Sequence, residues 1–76
     1  MMKTEKKIVT LFIEENEPKT IREISKQIQS DYKISYIATK RLIQRGVLQE
    51  RSVGKSSLCN LNESYYGLEI YQAEYE

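Results

Sequence analysis

TIREISKQIQSDYKISYIATKRLIQRGVLQERSVGKSSLCNL, residues 20–61, decides the fold, because its apolar residues change period once along the way. Up to Gly46 they recur at helical spacing; from Val47 they alternate as in a strand. Thr20 and Glu23 form a T-x-x-E capping box, and Ile21, Ile24 and Ile28 line one side of the helix that follows. The polar stretch from Gln29 to Lys33 reads as a turn, with Ser30 or Asp31 capping the next helix. In that helix Ile34, Ala38 and Leu42 share one face, and Lys33, Tyr36, Lys40 and Gln44 share the opposite one. The first face is expected to pack inward. Ile37 falls between the two faces and Ile43 near the outer one, so period alone leaves open whether either packs or stays exposed. Gly46 stands where a helix-ending glycine belongs, after Arg45, whose charge suits the negative end of the helix dipole.

Val47–Arg51 and Ser56–Leu61 read as strands, with the SVGK stretch around Gly54 as the turn between them. Cys59 and Leu61 are expected to face inward, Leu58 and Asn60 outward. Upstream, Thr4 can cap a first helix whose stripe is Ile8, Leu11, Phe12 and Glu15, widened by Val9 and Ile13. It should stop near Asn16, because Pro18 disfavours helical backbone at Glu17; Lys19 and Thr20 can then form a very short strand. These elements predict an α+β domain over residues 1–62. Its class is a winged helix-turn-helix: a three-helix core, a two- or three-stranded antiparallel wing and a C-terminal helix beyond.

Residues 63–76 form a separate segment that is acidic and holds four of the six tyrosines. As a helix it has two apolar sides, Leu68, Tyr71 and Tyr75 on one and Tyr66, Ile70 and Ala73 on the other. One side can cover the core, which leaves the other for self-association. Tyr66, Leu68, Ile70 and Tyr71 are the candidate dimerisation residues.

The chain has 76 residues, enough for one domain with a small core but little room for a catalytic cavity and its supporting shells. It has no histidine and one cysteine, which removes His-activated nucleophiles, His-containing zinc sites and an intramolecular disulfide. Gly46, Gly54 and Gly67 are too scattered to make a phosphate loop. Carboxylate pairs such as Glu14 and Glu15 lack an apolar setting that would raise a pKa. The chain is therefore expected not to be an enzyme and to need no metal or cofactor. Without a membrane-length apolar run or a signal-peptide cleavage pattern, a cytoplasmic location is the expectation.

A net charge of +1 hides an uneven distribution. From Lys19 to Lys55 nine basic residues face three acidic ones, a local +6, while the segments before and after carry −1 and −4. A basic middle is what attracts phosphates. Arg51, Lys55, Ser56 and Ser57 gather at the hairpin tip, where they read either as a phosphate clamp or as a soluble turn.

RLIQRGVLQER and GKSSLCNLN resemble the helix–wing junction and the second wing strand of small archaeal winged-helix transcription regulators, notably those of crenarchaeal viruses and plasmids. The resemblance covers Ile21 to Asn62. It implies a homodimer on double-stranded DNA that reads two half-sites near a promoter. By position it assigns Lys33, Ser35, Tyr36 and Lys40 to base edges, and Arg41, Arg51, Lys55 and Ser56 to the phosphate backbone. The chain departs from the family at Ser30, where an apolar residue is usual. Winged helices also serve as protein-interaction modules, a reading that the modest net charge favours.

Overall fold

The structure, a computed structural model, describes residues 2–62. The expected C-terminal helix and the candidate dimerisation residues Tyr66, Leu68, Ile70 and Tyr71 lie outside the described residues. Three helices and a hairpin follow in the order α1 (Lys3–Glu14), α2 (Ile21–Gln27), α3 (Tyr32–Gln44), β1 (Leu48–Val53) and β2 (Ser56–Leu61).

The buried stripe of α1 is Glu5, Ile8, Val9 and Phe12, a turn earlier than the stripe expected from the sequence. Glu5 takes the first inward slot, and Glu15 lies beyond the helix as its C-cap. Thr4 is inside the helix rather than its cap. The Glu5 carboxylate instead accepts a hydrogen bond from the Met2 backbone N–H at 3.1 Å, satisfying an otherwise orphaned donor.

Helix α2 begins with the expected capping box. The Thr20 N–H donates to Glu23 Oε1 at 2.9 Å, and the Glu23 N–H donates to Thr20 Oγ1 at 3.2 Å. These bonds from Thr20 hold the Glu23 carboxyl below its usual range. The helix leaves through a left-handed residue that is not glycine. Gln29 has φ +55°, its N–H reaches Lys26 O at 3.2 Å, and the Ser30 N–H reaches back to Ser25 O at 3.0 Å. That bond pair is a Schellman motif.

Asp31 caps α3 by accepting the Lys33 N–H at 2.9 Å, so the turn closes before Lys33 and the helix opens at Tyr32. At its far end Gly46, with φ +82°, makes the corresponding motif through Gly46 N–H to Ile43 O and Val47 N–H to Leu42 O, both 3.0 Å.

The strands pair antiparallel from Leu48↔Leu61 to Val53↔Ser56, leaving Gly54 and Lys55 as a two-residue turn. Only Gly54 of the two has positive φ, at +61°, as a type II′ turn requires. The expected extra strand shrinks to one residue pair: Lys19 and Cys59 exchange backbone bonds of 2.9 and 2.8 Å. Pro18 before and the α2 cap after leave no room for more.

The core gathers Ile8, Val9 and Phe12 of α1, Ile21 and Ile24 of α2, Ala38 and Leu42 of α3, and Val47, Leu48, Cys59 and Leu61 of the wing. Cys59 and Leu61 face inward as their alternation predicted, and burial pushes the Cys59 thiol up to about 11. Lys19 is buried as well, its ammonium 5.8 Å from the centroid of the Phe12 ring, so it packs rather than adding to the basic surface. Among the described residues, no helix is long and apolar enough to cross a membrane.

Gln29 holds a backbone conformation that costs an ordinary L-residue about 1 kcal/mol or more. Gln29→Gly is therefore expected to raise the unfolding free energy by about 0.5–1 kcal/mol, part of the relief being offset by the freer unfolded chain. A urea titration checks this; an unchanged or lower midpoint would mean the turn is unstrained.

Candidate nucleic-acid interface

The inward face of α3 is Ser35, Ala38, Thr39 and Leu42, at the helical spacing i, i+3, i+4, i+7. The expected face was Ile34, Ala38 and Leu42, so the helix is turned by roughly half a residue step from that reading. Two sequence assignments change as a result. Ile34 is 45% exposed, and Ser35, assigned to a base edge, is fully buried and reaches no solvent. Three of the four buried residues, Ser35, Ala38 and Thr39, are small, which is what a close-packed helix contact admits and a bulkier isoleucine does not. The Ser35 and Thr39 hydroxyls find no side-chain or backbone partner among the described residues.

Rotation also exchanges the two central isoleucines. Ile37 is 46% exposed and stands on the outermost line of α3 with Lys33, Lys40 and Gln44, while Ile43 packs partly against the core. Tyr32, Tyr36 and Lys40 form a ladder along α3. The two rings lie 6.3 Å apart, and the Lys40 ammonium sits 5.4 Å from the Tyr36 ring. The ladder ends on the wing, where Lys40 Nζ donates to Glu50 Oε2 at 2.9 Å. This bond holds the Lys40 pKa above and the Glu50 pKa below their usual values. The tie is therefore intact at neutral pH, and is lost as pH falls through the lowered Glu50 value or rises through the raised Lys40 value.

Strand alternation explains why Glu50 is available. Leu48 and Glu50 point toward α3, and Arg51, paired across from Leu58, points to the other face of the sheet. Arg51 thus leaves the tip cluster in which the sequence grouped it. Lys55, Ser56 and Ser57 remain together and line an open cleft of about 530 Å³ with Tyr32, Tyr36, Lys40 and Glu50. Arg22, from the first turn of α2, joins the same cleft. It was missed because only the fold brings that turn alongside the wing.

Arg41, assigned to the phosphate backbone, is drawn toward α1. Its Nε lies 3.1 Å from Glu5 Oε1, and Arg45 Nη1 lies 3.8 Å from Glu5 Oε2. Glu5 is fully buried, so two cations at its oxygens offset a desolvation that would otherwise be prohibitive. The 3.1 Å contact is a charge pairing, since that oxygen makes no well-angled hydrogen bond. Arg41 remains exposed enough to meet a second anion. No group of residues able to hold a metal ion occurs among the described residues.

This architecture matches solved structures, among them a transcriptional regulator. Streptomyces coelicolor PcaV, solved with its natural ligand, superposes on 95% of this chain and 51% of its own, with TM-score 0.79 and 19% identity. The fold is a winged helix. Lactococcus lactis ZitR in complex with DNA superposes on 99% of this chain and 52% of its own, with TM-score 0.71 and 17% identity. AF1382 from Archaeoglobus fulgidus superposes on 95% of this chain and 79% of its own, with TM-score 0.69 and 16% identity. The chain spans about half the length of PcaV and ZitR. At these identities the likeness is one of fold. No protein family and no curated protein matches the chain.

Ser35 offers a direct check of the rotation of α3. Ser35→Ala removes a buried hydroxyl without a partner and is expected to stabilise the fold by about 1 kcal/mol while leaving any DNA preference unchanged. A calorimetric melt with a parallel duplex titration reads both; a base-specific loss of binding would restore Ser35 to the outer face.

Proposed function

We propose that the chain is a sequence-specific regulator of transcription that binds double-stranded DNA, with α3 in the major groove and the wing on the phosphate backbone. The observation that carries this reading is one continuous surface. On it the exposed side of α3, with Lys33, Tyr36 and Lys40, meets Lys55 and Ser56 of the wing and Arg22 of α2. Helix N-terminal halves in this motif meet base edges, and cations at a hairpin tip meet phosphates. The structural likeness to ZitR in complex with DNA supports it. The likeness to crenarchaeal virus and plasmid regulators adds to it from sequence alone.

In this reading Lys33, Tyr36 and Lys40 contact bases, and Lys55, Ser56, Arg51 and Arg41 contact backbone, with Arg51 approaching from the opposite face of the wing. Glu50 is the counterweight. It occupies Lys40 until DNA offers a better acceptor, which lowers affinity for unselected duplexes and leaves the preferred site to supply the difference. Two copies act together, joined through residues 63–76, whose negative charge suits a position away from the duplex.

Gel shifts over a range of salt test this reading. Each phosphate contact contributes about −0.9 to the slope of log affinity against log salt. Lys55→Ala is expected to weaken all duplexes alike and flatten the slope by about one unit for each bound copy; Lys40→Ala and Tyr36→Ala each lose about 1–3 kcal/mol at the selected site only. Glu50→Gln should strengthen unselected duplexes and steepen the slope by about one unit for each bound copy. Affinity for a polypeptide together with salt-insensitive or absent duplex binding would instead mark the chain as a protein-interaction module.

Sedimentation tests the pairing. The full chain is expected to bind its site two to one, and a chain ending at Asn62 to bind weakly as a monomer because the second half-site no longer adds avidity. A one-to-one complex of the full chain overturns the dimer.

A further inference from the structure

The outward face of α3 is not uniformly polar. Ile37 stands at its centre, flanked by Lys33 and Lys40, and Ile34 sits a turn away on the edge, each nearly half exposed. Neither belongs to the core or to the residues packed against it. Branched aliphatic side chains at exposed helix positions lose rotamer freedom and leave apolar surface in water. Lysine, glutamine or alanine would serve the helix better at both places.

Resting on the reading of α3 as the groove-facing helix, we infer that Ile37, with Ile34 beside it, recognises the C5-methyl groups of thymine. The preferred site then carries thymine, on either strand, under the N-terminal half of α3. In the major groove the thymine methyl is the one alkyl group on a base edge; apart from small ring C–H groups, the others there donate or accept a hydrogen bond. Isoleucine gains by covering the methyl. Against the guanine acceptors or the cytosine amine it displaces water and offers no bond in return. Selection is therefore both attractive and repulsive. Lys33 and Lys40 on the same face argue for DNA as the occupant over an apolar protein groove, because two ammonium groups beside Ile37 would lose solvation against such a partner and gain phosphates or base acceptors against a duplex.

The test uses the full chain and a duplex selected from a random pool. Thymines in the selected site are replaced one at a time by uracil, which removes the methyl and preserves pairing. Wild-type protein is expected to lose about fourfold in affinity at one or two of these positions, the change that burial of a single methyl group confers. Ile37→Ala, at an exposed position where alanine is the better helix former, is expected to bind the thymine and uracil sites equally at the central position; Ile34→Ala does the same at its neighbour. Duplex binding indifferent to uracil at every position overturns the inference and leaves the DNA-binding reading standing, as does uracil sensitivity that survives in both alanine variants. A change in oligomeric state of Ile37→Ala without DNA, combined with indifference to uracil, shows that the isoleucines face a second copy. Failure of every duplex to bind at low salt overturns this inference and the DNA-binding reading together.

Discussion

The rotation of α3 about its own axis is the constraint on which the functional surface depends. It is marked by the buried face of three small residues, Ser35, Ala38 and Thr39, and Leu42, with Ala38 and Leu42 in the core. Two of the three leave a buried hydroxyl without a partner among the described residues, so small size outweighs polar satisfaction at these positions. Once that face is seated, every outward side chain of the helix follows. Ile37 moves to the centre of the exposed side, Ser35 is withdrawn from it, and Tyr36 and Lys40 turn toward the wing.

Charge in this domain is arranged as local pairs rather than as a broad positive field. Of the basic residues between Lys19 and Lys55, Lys19 lies under the fold against Phe12, Lys40 is tied to Glu50, and Arg41 and Arg45 balance the buried Glu5. The exposed basic residues include Arg22 and Lys26 on α2, Lys33 at the start of α3, and Arg51 and Lys55 on the wing. They are spread over three elements, which favours a surface that touches an extended polyanion at several points over one that concentrates charge on a small anion. Glu50 links two of those elements, so the wing tip and the exposed side of α3 share one ion pair.

Much of the fold was legible in the sequence because its punctuation is local. The Thr20–Glu23 capping box, the glycine that ends α3, the glycine turn of the hairpin and the inward alternation of Cys59 and Leu61 all stand where short-range chemistry put them. The placement of the candidate site residues was only partly legible. Lys33, Tyr36, Lys40, Lys55 and Ser56 are exposed or half-exposed as the reading required, whereas Ser35 is buried, Arg51 turns to the other side of the sheet and Arg41 is drawn toward α1.

By itself the sequence located each helix and strand to within about two residues, since caps, glycines and hydrophobic period act within a few residues of one another, although Thr4 lies inside α1 instead of capping it and the first strand runs Leu48–Val53 instead of Val47–Arg51. It determined the class of the fold as well, through the order of those elements. Tertiary structure alone decided which outward side chains act together. Placing isoleucines on α3 by period assumes that the largest apolar residues point inward, but close packing against two other helices admits only small ones along part of that face. Glu5 shows the same limit. Its carboxylate occupies a core-facing slot on α1 that hydrophobic periodicity would not assign to an acid, and it is tolerated there because Arg41 and Arg45, about forty residues away in the chain, fold back to balance its charge.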